Sequence, residues 1–209
     1  IQQAVQQGSI PESARKGLLD RLAELRGKLS GLAKVADPVK FRTVLPYNET
    51  HGALFAVQAA LWTSLGRKPL SGWGTCGWDP GDVFAVPPAD AGTPLRVHTL
   101  RNEYRSAAFN LANATNKPLQ VAISFADLPG SPRPDYITVH EALWTDTYTG
   151  QLVMSALPAA TRDASGWSVR VLPGLVRQIW LTVHVTDASA IEAGHHQGNI
   201  VMLPQGGER

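Results

Sequence analysis

The chain has 209 residues, 44% of them hydrophobic and 17% charged, enough apolar material for a core and too little charge for a disordered chain. A net charge of +2 leaves no polybasic footprint, so nucleic acid and anionic membrane are excluded as default partners, and no apolar run approaches the ~18 residues of a membrane span. The single cysteine, Cys76, excludes an intramolecular disulfide framework and a multi-cysteine zinc site.

The opening Ile1-Gln2-Gln3 carries neither an initiator methionine nor a signal peptide, which leads us to expect a fragment or a processed chain. Ser9-Ile10-Pro11-Glu12 reads as a capping box that starts a helix. Leu18, Leu22, Leu25, Leu29 and Leu32 follow at 4-3-4-3 spacing, one apolar seam on that helix. The seam fits a helix docked on its own protein, with packing on a neighbouring chain as the alternative. Asp37-Pro38 should end the helix, because proline disfavours helical geometry in the residue before it. A second helix is predicted from Asn48, a good N-cap, to Leu65, with Gly66 closing it and Leu54, Val57, Leu61 and Leu65 on a core face.

Between Arg67 and Thr93 the periodicity dissolves into Ser71-Gly72-Trp73-Gly74-Thr75-Cys76-Gly77-Trp78-Asp79-Pro80-Gly81 and Val86-Pro87-Pro88, which read as turns and an extended linker. Beyond it the period changes to 2. Strands are expected at Leu95–Leu100, Tyr104–Leu111, Leu119–Phe125, Ile137–Trp144, Leu152–Ala156, Trp167–Leu172, Gln178–Val185 and Asn199–Leu203. Ile179, Leu181, Val183 and Val185 should face inward, opposite Trp180, Thr182, His184 and Thr186. Short strands without intervening helices predict a mainly β protein: an antiparallel β-sandwich over residues 93–209, preceded by a segment over 1–92 that holds two helices and the linker.

Two stretches carry a family resemblance. Arg101-Asn102-Glu103-Tyr104 through Phe109, followed by Pro118-Leu119-Gln120-Val121 through Leu128, resembles a sandwich opening of the form N-E-Y-x-x-x-x-F and P-L-x-V-x-V-x-x-L. Pro173 through Trp180-Leu181-Thr182-Val183-His184-Val185, then Ala193-Gly194-His195-His196-Gln197-Gly198-Asn199-Ile200, resembles P-x-x-x-x-x-x-W-L-x-V-x-V and A-G-x-Y-x-G-x-I. Together they resemble the accessory β-sandwich that precedes the catalytic barrel in glycoside hydrolases similar to family 123. The resemblance implies an immunoglobulin-like sandwich, an extracellular or periplasmic location, a downstream catalytic domain as partner and no cofactor. His196 stands where that family has an aromatic, and no adjacent Asp-Glu pair occurs, so no catalytic residue carries over.

The remaining chemistry is sparse. His195-His196 diverge on an extended chain, and His140 and His184 lie on separate predicted strands, so solvated histidine is expected and no metal site. Cys76 sits in a glycine-rich loop with no partner to lower its pKa. Glu141 and Asp146 flank Trp144, and Asp79 and Asp82 flank Pro80-Gly81; sequence separation cannot place such carboxylates across a cleft, and turn or surface roles are expected. Asn48-Glu49-Thr50 and Asn113-Ala114-Thr115 match the glycosylation sequon. Of the six tryptophans, Trp73, Trp78, Trp144 and Trp180 are the candidates for stacking on sugar rings, with packing of helices on the sandwich as their alternative role.

Overall fold

In the computed structural model, residues 1–29, 31, 44–79, 81–90, 94–164 and 166–205 are described. Among these residues, three α-helices occur where two were expected: α1 (Gln2–Gln7), α2 (Glu12–Leu29) and α3 (Glu49–Ser64). Six residues are too few for an isolated helix to persist. Tertiary contacts hold α1: Val5 is fully buried beside Leu18, Val57 and Leu61. The Arg15 guanidinium donates to the carbonyls of Val5 (2.9 Å), Gln6 and Gly8 (3.2 Å), which suits the negative end of a helix. The Glu12 carboxylate, expected to reach back to Ser9, accepts from Arg15 Nε at 3.0 Å.

The leucine seam is only partly realised. Leu18 is buried, and Leu22 and Leu25 pack against the cluster formed with Val57 and Leu61 of α3. Leu29, expected on the same buried face, is 51% exposed, because it stands in the last turn of α2, beyond that cluster. Leu32 lies outside the described residues.

The ends of α3 follow the sequence reading. Asn48 Oδ1 accepts the His51 backbone N–H at 2.9 Å. At the other end the Gly66 and Arg67 N–H groups donate to Thr63 O (3.0 Å) and Trp62 O (2.9 Å), the paired bonds of a Schellman closure. Between these caps α3 is apolar around most of its circumference because it is covered twice. Val57 and Leu61 face α1 and α2, while Phe55 and Trp62 face the β part.

Among the described residues, nine strands form two antiparallel sheets. They are β1 (Leu70–Thr75), β2 (Tyr104–Asn113), β3 (Leu119–Ala126), β4 (Ile137–Asp146), β5 (Leu152–Ala156), β6 (Thr161–Asp163), β7 (Gly166–Val171), β8 (Val176–His184) and β9 (Asn199–Gln205). One sheet runs β1-β2-β8-β4-β5 and the other β6-β7-β3-β9. Inward residues of both sheets meet in one core, with Leu111, Val139 and Ile179 from the first and Val121, Ile123 and Val169 from the second. Ile179 and Leu181 are buried there and Val183 packs at its margin, as the alternation predicts; Val185 falls just past the end of β8.

Two expectations are corrected. The stretch read as linker contains β1, which pairs with β2 from Leu70↔Asn113 to Thr75↔Ala108. The strand predicted at Leu95–Leu100 has no ladder partner among the described residues. Its alternation is real, with Leu95, Val97 and Thr99 half-buried and Arg96, His98 and Leu100 exposed, but β1 already occupies the edge of β2 from Ala108 onward.

Candidate functional site

The outer face of the five-stranded sheet is where most of the candidate side chains converge. Register fixes its rows. Ala108, Trp180 and His140 lie side by side on β2, β8 and β4, and the next row toward α3 is Asn110, Gln178 and Ala142. That second row is roofed and buried. Gln58 of α3 reaches down between the layers, its Nε2 donating to Val83 O (2.7 Å) and Gly174 O (2.8 Å). Trp62, Ala112 and Val176 seal the roof, with Trp73 and Val86 at its margin.

The tryptophans therefore part company. Trp144, a candidate sugar platform in the sequence, is a core residue: it is 3% exposed and its indole N–H donates to Val176 O at 2.8 Å, so no ring face meets solvent. Trp73 is half-buried against the Trp62 cluster. Trp78 and Trp180 come together outside the roof, with ring centroids 5.8 Å apart at 87°, an edge-to-face pair. Trp78 is 85% exposed. Gly77 lies flat on the Trp180 ring, where a Cβ would approach its Cζ3 to 2.5 Å, so only glycine lets the loop close this tightly.

These two rings stand in a cleft of about 430 Å³, lined also by Thr75, Cys76, Arg96 and Ser106. It forms where β1 stops at Thr75 while β2 continues back to Tyr104, so that the loop after β1 and the extended segment at Pro94–Arg96 wall the gap. The lining offers indole surface, two hydroxyls, one guanidinium and one thiol. None of the described residues that line it is Asp, Glu or His.

The carboxylates and histidines take other places. Asp79 Oδ1 accepts from the Gly81 N–H (2.9 Å) and Asp82 Oδ1 from the Phe84 N–H (2.8 Å), both turn roles. Glu141 pairs with Arg177 (Oε2 to Nε, 3.5 Å) beside a smaller cavity of about 280 Å³, while Asp146 is exposed at the end of β4. Burial raises the Glu141 pKa, offset in part by Arg177, and the same burial lowers that of Arg177, offset by Glu141. Both shifts say that desolvation outweighs the attraction. His140 lies across from Trp180 and His184 across from Tyr104, so the two histidines do not face each other. His195 and His196 are exposed, with His196 Nε2 at 2.9 Å from Glu192 O. Among the described residues no group of three or more His, Cys, Asp or Glu could hold a metal ion, and no helix is long and apolar enough to cross a membrane.

Sequence reasoning missed Thr75, Arg96 and Ser106 as neighbours of the tryptophans. Ser106 was within reach, because it shares the parity of Tyr104 and Ala108 on β2. Thr75 and Arg96 carry no such local signal, because β1 is a strand only through its pairing with β2.

No family model and no curated protein matches the chain. Among solved structures, it is similar to a family 123 glycoside hydrolase from Clostridium perfringens that was analysed for glycolipid glycan hydrolysis, with a TM-score of 0.33 and 11% sequence identity. The similarity covers 52% of this chain and 19% of that one, so this chain spans about a fifth of that hydrolase.

Proposed function

We propose that this chain is a non-catalytic accessory module of a larger carbohydrate-active protein: an immunoglobulin-like sandwich that works outside the cytoplasm and offers a weak sugar-contact surface at Trp78 and Trp180. The observation that carries the reading is Trp78. A ring 85% exposed forgoes the burial that large aromatics normally gain, and it stands at the mouth of a cleft with hydroxyl and guanidinium groups within reach. The location and the downstream catalytic domain rest on the family resemblance in the strand motifs. Those motifs fall on strands that pair with one another, β2 with β8 and β3 with β9.

The competing reading is a self-assembly module docking through its leucine seam on a neighbouring chain. Leu18, Leu22 and Leu25 already face α3, which leaves Leu29 among the described residues of the seam. The test is a tryptophan-fluorescence titration of the purified chain with soluble oligosaccharides. Saturable quenching that Trp78→Ala abolishes is the expected result. A response identical in wild type and Trp78→Ala, or none at all, would reject the reading.

A further inference from the structure

We infer that the sugar contact is not a single ring but an extended platform, built for an uncharged oligosaccharide chain lying along the strands. This inference rests on the accessory, sugar-contacting reading above and adds the class and length of the ligand.

The outer face of the five-stranded sheet is roofed over only half its length. Beyond the Trp180 row, register sets Ser106, Thr182 and Thr138 side by side, and beyond them Tyr104 beside His184. Burial falls away in the same direction: Gln178 is 2% exposed and Tyr104 68%. Tyr104 stacks on His184 with centroids 3.8 Å apart at 15°, so one face of the phenol ring rests on imidazole and the other is open.

The result is aromatic, hydroxyl, aromatic. Trp78 and Trp180 stand at one end, hydroxyls lie in the middle, and Tyr104 on His184 stands at the other end. His184 lies four residue steps along β8 from Trp180, which at about 3.3 Å per residue sets the two aromatic ends roughly 13 Å apart. One sugar ring cannot bridge that span, whereas a chain of several can stack on both ends and hydrogen-bond to the hydroxyls between. The cleft continues into this face, because Ser106 belongs to both.

Charge narrows the class. The strand residues of these three rows include no Asp, Glu, Lys or Arg. Arg96 stands only at the cleft end. A polyanionic chain would find no row of cations to meet it, and a polycation no carboxylates, so charge complementarity favours a neutral glycan.

The experiment is isothermal titration of the full chain with cello-, xylo- and N-acetylchito-oligosaccharides of one to six units, repeated for Trp78→Ala and Tyr104→Ala. For at least one series, affinity should rise stepwise beyond the disaccharide. Tyr104→Ala should then weaken the hexasaccharide about tenfold and leave the disaccharide unchanged, while Trp78→Ala weakens both. Because the Tyr104 ring is mostly solvent-exposed, a melting temperature equal to wild type should accompany the variant. Affinity that levels off at the disaccharide, with Tyr104→Ala silent and Trp78→Ala effective, would overturn the platform and spare the Trp78–Trp180 contact. Absence of binding throughout all three series would overturn both.

Discussion

Gln58 and Gly174, 116 positions apart in sequence, are joined by a 2.8 Å hydrogen bond from the Gln58 side chain to the Gly174 carbonyl. The same Nε2 also donates to Val83 O, so one amide ties α3 to the β7–β8 turn and to the loop after β1. Gln58 is 1% exposed, and losing it would leave two interior carbonyls unpaired. Gln58→Leu should therefore lower unfolding free energy by about 2–4 kcal/mol, as read by urea denaturation. A loss below about 0.5 kcal/mol would show that water replaces the amide.

Gly174 itself tolerates no side chain. Its φ is +62°, and a Cβ there would lie 1.9 Å from Phe55 O and 2.9 Å from Ala59 N. Backbone is the obstacle, so α3 would have to lift from the sheet. Gly174→Ala should cost about 3–5 kcal/mol, with loss of near-ultraviolet circular dichroism from the tryptophans beneath α3. A variant with wild-type stability would mean that the turn can be rebuilt.

The leucine seam divides into two kinds of residue. Leu18→Ala, at a site 4% exposed, should lower stability by about 2–5 kcal/mol without changing the mass in solution. Leu29→Ala, at a site 51% exposed, should change it by no more than about 0.5 kcal/mol. Equal effects at the two positions, or dissociation of an oligomer by either, would contradict internal packing.

The tryptophans should separate in the same way. Trp144→Ala empties a core position and removes the donor to Val176 O, which should cost about 3–5 kcal/mol. Trp78→Ala should leave stability within about 0.5 kcal/mol of wild type while reducing the fluorescence response to oligosaccharide. Thermal unfolding of the pair distinguishes the structural indole from the functional one.

His51, in the first turn of α3, is the group through which mild acid should act. Burial lowers its pKa below the usual 6.5, and its Nδ1 is buried without a partner beside the Tyr47 ring. A depressed pKa means that the folded chain takes up the proton less readily than the unfolded chain. The associated stability is present above 6.5 and is lost as pH falls through the lower folded value. His51→Gln keeps the backbone N–H that caps α3 on Asn48 and should flatten the stability profile as pH falls below about 6.5. Parallel profiles for wild type and variant would exclude His51 as the cause.

Local pattern made much of this structure legible. The strands at Tyr104, Leu119, Ile137 and Gln178 fall within about two residues of their predicted starts, because one buried face imposes period 2. The caps of α3 were readable for the same reason: Asn48 and Gly66 act on neighbours a few residues away. What escaped depends on distant partners. β1 looks like a loop in its own window and is a strand only because β2 lies beside it. α1 exists because Arg15 and the α3 face hold it. Trp144 and Trp180 share the outer face of one sheet, and nothing local tells which half of that face lies under α3. Hence the candidate set at Trp73, Trp78, Trp144 and Trp180 mixed covered rings with open ones.

The β1–β2 pairing has a consequence for anyone who would express the β part alone. A chain beginning at residue 93 would keep every strand except β1, and would lose α3 with it. The Ala108–Asn113 half of β2 would become a raw edge, its backbone groups facing water or another molecule. Beside that edge the apolar floor now under α3, with Ala112, Trp144 and Val176, would lie bare. An unpaired edge next to an uncovered apolar face is a template for stacking copies of the same chain. The glycine-rich stretch that looks like the natural place to cut is thus the seam where cutting would lay bare both an unpaired strand edge and an apolar face, and so invite aggregation.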